Sequence, residues 1–328
     1  MSEIRFPLGW GNSVAVRKAF LETYNGDMVI FSAHSLERFD YPTHEGDPEL
    51  VEITKQIIKR QIGKDYKHVF ITNGATGGVV IALRMFKQRG YEYVHTRHAP
   101  YYIRYPRMIN ASGLTRLNEE DCFSRRKSLI LLDLPSNPVG FLTTIECGFD
   151  VPVVLDGVYC NRVYVAGGMV TPRHDIFIGS YSKLLGMNGI RTGWVATNDD
   201  LMADRLKDLV ASEYCGLSRA DTDIIKNTLY GFNWGRFETL ANLRLDYNRE
   251  QWSKLEKYFG DAPVPPVGMF YYAPIDAKCK ELLEKSGIQW TTGKDLGTNN
   301  SFARFNLGQD CRLIEEAVKT VLMHDQRT

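Results

Sequence analysis

Short apolar runs recur along this chain, and most of them are apolar throughout instead of alternating with polar positions. KHVFITN, SLILLDLP, VPVVLD, DIFIGSYS and TGWVAT are of this kind, with YEYVHTR as a more polar member. Strands of this type are buried on both faces, the mark of a mostly parallel sheet covered by helices. Between them the pattern predicts a helix from about Thr76 to Gln88 and another after Pro100. From about Asp199 the chain reads as helical through Tyr258. GDAPVPPVG then breaks the helical run and marks entry to a smaller unit. Its expected strands are MFYYAP, GIQWTT and SFARFNLG, and its expected helices lie in AKCKELLEKSG and CRLIEEAVKTVLMH.

The predicted fold class is therefore α/β: a mostly parallel sheet of about seven strands sandwiched by helices, with a smaller α+β domain. The expected division is 41–255 for the large domain and 1–40 plus 256–328 for the small one, because the N-terminal stretch has no βα pattern of its own. In a sheet of this kind, binding residues are expected at the carboxyl ends of the strands.

Composition excludes more than it assigns. The 328 residues carry a formal net charge of +1, which gives no electrostatic footprint for nucleic acid or an anionic membrane. No apolar run approaches the roughly 20 residues needed to cross a bilayer. MSEIRFPLGWGNS lacks the basic start and apolar core of a secretory signal. Cys122, Cys147, Cys160, Cys215, Cys279 and Cys311 are scattered without CxxC spacing, as expected of a reduced, cytoplasmic protein with no disulfide scaffold or zinc site. His34, His44 and His98 show no metal-ligand spacing, and no metal is expected.

The candidate chemistry lies where the apolar runs stop. ITNGATGG ends a strand and opens a helix, and exposed amides there make either a plain helix cap or an anion cradle. Asn137 in LLDLPSNPVG is either an Asx-type turn or a ligand for an oxygen. Asp156 ends VVLD, where a carboxylate is costly unless it meets a cation, and Tyr159 follows three residues on. GSYSKLLGMNGIRTGW sets Lys183 behind Ser180 and Ser182 and ahead of Arg191. An amine for a covalent imine, with hydroxyls and a guanidinium for a phosphate, suits a phosphorylated aldehyde cofactor. Asp156 could keep such a cofactor's ring nitrogen protonated, and the set points to pyridoxal phosphate.

GSYSKLLGMNGIRTGW resembles the cofactor-lysine signature of class I/II aminotransferases, the aspartate aminotransferase family of fold type I. Other pieces follow in that family's order: Tyr41 with Gly46, Gly74-Ala75-Thr76, Pro100-Tyr101-Tyr102 with Tyr105, Asn137-Pro138-Val139-Gly140, then Asp156 with Tyr159. PPVGMFYY and SFARFNLG resemble its small-domain strands, and the likeness runs from about Ile4 to beyond Gly308. The resemblance implies that Lys183 joins the cofactor and moves the proton at the substrate Cα. It implies that Asp156 meets the pyridine nitrogen, that Asn137 and Tyr159 meet the phenolic oxygen, and that Tyr102 stacks on the ring. Gly74, Ala75, Thr76, Ser180, Ser182 and Arg191 would hold the phosphate, joined by Tyr41 reaching from a neighbouring subunit. Arg304 would grip the substrate carboxylate, beside Asn137 and Gly9.

A homodimer acting on amino acid and keto acid substrates by a ping-pong path is thus expected. The alternative is other fold type I chemistry on an amino acid, such as a lyase, decarboxylase or cyclase. Taken singly, Arg304 could also be a structural ion pair, the tyrosines at 101, 102 and 105 core residues, and Arg219 a surface arginine at a helix start. Two departures stand out: FLTTIECGFD leaves only a turn or two between two strands, and the N-terminal arm is short.

Overall fold

The computed structural model describes residues 5–24, 43–96, 99–117, 127–140, 151–168 and 170–326. Tyr41, His34, His98, Cys122, Cys147 and the 141–150 link lie outside them. The chain opens with β1 (Phe6–Pro7), α1 (Val14–Thr23) and α2 (Pro48–Ile62). There follow β2 (His68–Asn73), α3 (Gly74–Gln88), β3 (Tyr93–Thr96), α4 (Tyr105–Ala111) and β4 (Thr115–Leu117). Next come β5 (Ser128–Asp133), β6 (Val153–Asp156), β7 (Ile176–Ser180), the single turn α5 (Tyr181–Leu184) and β8 (Thr192–Thr197). Three helices continue, α6 (Asp200–Tyr214), α7 (Arg219–Leu229) and α8 (Trp234–Ser253). The last part holds β9 (Phe270–Pro274), α9 (Ala277–Lys285), β10 (Ile288–Gln289), β11 (Thr291–Thr292), β12 (Phe302–Asn306) and α10 (Cys311–Asp325).

Seven strands form the central sheet in the order β2-β8-β7-β6-β5-β3-β4. All run parallel except β8, which is antiparallel to both β2 and β7. The reason is local: the segment between Ser180 and Thr192 is too short for a helical crossover, so the chain turns straight back. Every residue of β5, β7 and β8 is buried, which accounts for their unbroken apolar character.

One face of the sheet packs on α1, α2 and α8 through residues such as Phe20, Ile57 and Leu245; the other packs on α3, α4 and α6 through Leu83, Ile109 and Leu206. A third core, around Trp252, Phe259, Tyr271 and Phe305, joins the end of α8 to β9, β12, α9 and α10. Phe6 and Leu8 belong to this third core, whereas Ala15, Val16 and Phe20 of α1 belong to the first. GIQWTT, expected as one strand, is interrupted at Trp290, because β10 pairs with β1 while β11 pairs with β12. Among the described residues no helix is long and apolar enough to cross a membrane.

Candidate active site

A cavity of about 510 Å³ opens at the carboxyl ends of β5, β6 and β7 and is closed on its other side by residues of β1's continuation, β11 and β12. Of the residues singled out from sequence, Gly9, Ala75, Thr76, Tyr102, Asn137, Asp156, Tyr159, Ser180, Ser182, Lys183, Arg191 and Arg304 line it. Gly74 sits against the Arg191 guanidinium, and Tyr41 is outside the described residues.

Lys183 lies in the short turn α5, which Ser180 caps. The Ser180 hydroxyl accepts from the Ser182 N–H at 3.1 Å and donates to the Thr192 carbonyl at 3.1 Å. Lys183 Nζ donates to the Gly11 carbonyl and, at 3.3 Å, to Asn188 Oδ1. Burial, with the positive charges of Arg304 and Arg191 adding to it, lowers its pKa from 10.5 to about 8. A substantial neutral fraction near physiological pH makes it a usable nucleophile.

At the end of β6, Asp156 Oδ2 accepts from the Tyr105 hydroxyl at 2.8 Å, and Oδ1 accepts from the Val158 N–H at 3.3 Å. Burial pushes its pKa up to about 7; the Tyr105 hydrogen bond opposes this and the Asp133 charge adds to it. A carboxylate in this state gains from a cation brought beside it, which a protonated ring nitrogen would be.

The α3 start, Ser182 and Arg191 converge. Gly74 has φ of 63°, and a Cβ there would stand 2.6 Å from Arg191 Nη2. A Cβ on Gly193 would stand 2.6 Å from the Gly74 carbonyl carbon and 2.8 Å from the Ala75 nitrogen. Small residues are therefore what allow β8 and the α3 turn to meet. Arg191 Nη1 donates to Ser182 Oγ at 3.1 Å and to the Asn188 carbonyl at 2.8 Å. First-turn amides, a hydroxyl and a guanidinium in one corner form a phosphate-type cradle.

Arg304 of β12 is buried. It donates to Asn137 Oδ1 at 2.9 Å, to the Gly9 carbonyl at 3.1 Å and to Thr291 Oγ1 at 3.0 Å, and it lies 4.3 Å from the Phe270 ring centroid. Among the described residues its buried Nε has no hydrogen-bond partner and its guanidinium forms no ion pair. The structural ion pair is thus not what surrounds it; its contacts orient a guanidinium whose charge suits a ligand carboxylate. Tyr159 meets Tyr164 and Phe270 edge-on at 5.2 and 5.7 Å, and Tyr102 meets Tyr105 edge-on at 5.3 Å.

Sequence reasoning gave Tyr105 no site role, and it left out Asp133, Gly11, Asn188, Phe270 and Thr291 altogether. Asp133 had a readable signal, an acid at the end of an apolar strand; the Gly11 carbonyl, a backbone group, had none. Arg219 lies outside the cavity and pairs with Asp47 at 2.8 Å and Asp223 at 3.4 Å. His44 is exposed.

Residues 6–321 match the family described as aminotransferase class I and II. A (5-formylfuran-3-yl)methyl phosphate transaminase of Methanocaldococcus jannaschii is 26% identical over 315 residues, covering 86% of this chain and 82% of the relative. Two solved structures share the fold. One is a Methanococcus jannaschii protein whose active site is likened to kynurenine aminotransferases (19% identity, 97% of this chain, 91% of that one, TM-score 0.76). The other is an aspartate aminotransferase of Thermotoga maritima (16% identity, 98% and 91%, TM-score 0.76). With a family match over nearly its full length and a central sheet of the fold type I kind, the chain belongs to the class I and II aminotransferases and is an enzyme of amino-group transfer.

Proposed function

We propose that this enzyme holds pyridoxal phosphate in the cavity and moves the α-amino group of an amino acid to a keto acid in two successive half-reactions. One observation carries the reading: a half-buried amine shifted toward its neutral form shares a cavity with a carboxylate pushed up to about 7 and a guanidinium that has no acidic partner among the described residues. When bound, the cofactor supplies an aldehyde for imine exchange and a ring that accepts the electron pair of the Cα–H bond.

Lys183 provides the amine of attachment and afterwards carries the proton on and off the substrate Cα at Nζ. Asp156 would keep the ring nitrogen protonated. Asn137 and Tyr159 would donate to the phenolic oxygen, and Tyr102 would cover a ring face. Ala75, Thr76, Ser182 and Arg191 would take the phosphate, with Gly74 permitting the approach. Ser180, whose donor is already committed to Thr192, would set the turn that presents them. Arg304, aimed by Asn137 and Gly9, would take the α-carboxylate of donor and acceptor alike, which is what lets one site serve both half-reactions.

A homodimer belongs to the same proposal, with Tyr41 reaching the phosphate in the neighbouring subunit, as does the division into 41–255 and 1–40 plus 256–328. The scattered thiols support a cytoplasmic setting. The test is a panel of amino acids added singly to holoenzyme, with product analysis. One equivalent of keto acid per site, without turnover until a keto acid is added, is the expected result. Release of carbon dioxide or ammonia would instead assign lyase or decarboxylase chemistry.

A further inference from the structure

Asp133 is a buried carboxylate that the reaction above does not use. It ends β5, is 6% exposed and lines the cavity, and it is paired in parallel register with Asp156 at the end of β6. Residues in register on adjacent strands stand about 4.8 Å apart and send their side chains to the same face. Asp133 Oδ2 also accepts the Asn137 N–H at 2.7 Å, and Asn137 Oδ1 accepts from Arg304 at 2.9 Å. One residue therefore stands beside Asp156 and also fixes the turn that aims Arg304. That turn does not call for a charge, since an amide oxygen at position 133 would accept the same N–H. Two carboxylates this close repel, so the charge at position 133 bears directly on the ionisation of Asp156.

We propose that Asp133 is a positioning residue with two tasks: its charge deepens the negative field at the end of the cavity where Asp156 meets the cofactor ring nitrogen, and its Oδ2 holds Asn137, and through it Arg304, in place. The inference rests on the roles given to Asp156 and Arg304 under Proposed function. Before a cationic ring arrives, two neighbouring carboxylates resist being ionised together, so the Asp133 charge works against ionisation of Asp156. Tyr102 and Tyr105 on the α4 side and Tyr159 after β6 also face Asp156; burial raises all three, so they stay neutral phenols. Among the described residues, the cations lining the same cavity are Arg104, Lys183, Arg191 and Arg304.

Two substitutions separate the tasks. Asp133→Asn removes the charge and keeps an acceptor for Asn137, whereas Asp133→Ala removes both. In the full chain freed of cofactor, carboxyl-carbon NMR follows the ionisation of Asp156. Its midpoint is expected to fall in both variants, because a negative neighbour has gone. Pyridoxal phosphate, titrated at neutral pH, is expected to bind about tenfold more weakly to Asp133→Asn. The amino acid KM stays near wild type in Asp133→Asn and rises about tenfold in Asp133→Ala, where the Asn137 N–H loses its acceptor. If Asp133→Ala does not fold, Asp133→Val replaces it in the same comparison. An Asp156 midpoint identical in wild type and Asp133→Asn overturns the first task, and an unchanged KM without the acceptor overturns the second. The NMR titration needs no cofactor, so it stands apart from any failure of wild-type enzyme to attach pyridoxal phosphate, which would sink the functional reading instead.

Discussion

The Tyr105 hydroxyl donates a 2.8 Å hydrogen bond to Oδ2 of Asp156, joining a buried phenol to a half-buried carboxylate that lines the cavity. The phenol is the principal force holding the carboxylate toward its ionised form against burial. Tyr105→Phe removes that donor with little change of shape. A hydrogen bond to a charged, buried acceptor is worth about 1.5–3 kcal/mol, so the cofactor dissociation constant should rise by about tenfold or more. Asp156 should keep its proton to higher pH than in wild type, and a titration that moved down instead would contradict this role.

Asp156 and Lys183 together give the cofactor-free protein a particular pH dependence. Asp156 is raised from 3.8 to about 7, so between those values the folded chain holds a proton that the unfolded chain has lost. Its contribution is full below the unfolded value and is lost as pH rises through about 7. Lys183 is lowered from 10.5 to about 8, so between about 8 and 10.5 the unfolded chain holds the extra proton and stability rises with pH. That rise amounts to about 3 kcal/mol at most. Thermal melting across pH should show it in wild type and not in Lys183→Met; an equal rise in both would assign it to other groups.

Gly193 is where β8 passes the start of α3. Its missing Cβ leaves room for the backbone of Gly74, Ala75 and Gly179, with gaps of 2.6 to 2.8 Å that no side chain can occupy. Because the obstructing atoms are backbone, Gly193→Ala must push the α3 turn away from Arg191. Overpacking of this kind costs about 1–3 kcal/mol. The melting temperature should fall, and inorganic phosphate should compete less well for the cofactor cradle. A variant with wild-type stability and phosphate affinity would mean that the turn is not held as described.

The strands were legible because burial on both faces leaves no polar alternation, and the strand-end rule then put Asn137, Asp156 and Lys183 among the candidates, all of which line the cavity. The reversal of β8 was legible only in hindsight, from the short segment between Ser180 and Thr192. Tyr105 looked like a core aromatic because an apolar ring and a donor to a buried carboxylate have the same spacing on a helix. The acceptor for Lys183 was illegible for a deeper reason: it is the Gly11 carbonyl, and a backbone oxygen leaves no trace in residue identity. Likewise, the split of GIQWTT into β10 and β11 depends on strand partners far away in the chain, which local pattern does not encode.

The central claim is that the amine of Lys183 is where the cofactor is joined. Holoenzyme reduced with borohydride, digested and analysed by mass spectrometry tests it most directly. The account predicts a phosphopyridoxyl mass added to the peptide containing Lys183, at close to one per chain, and none in Lys183→Ala. An adduct on any other lysine, or no adduct after saturation with pyridoxal phosphate, would contradict it.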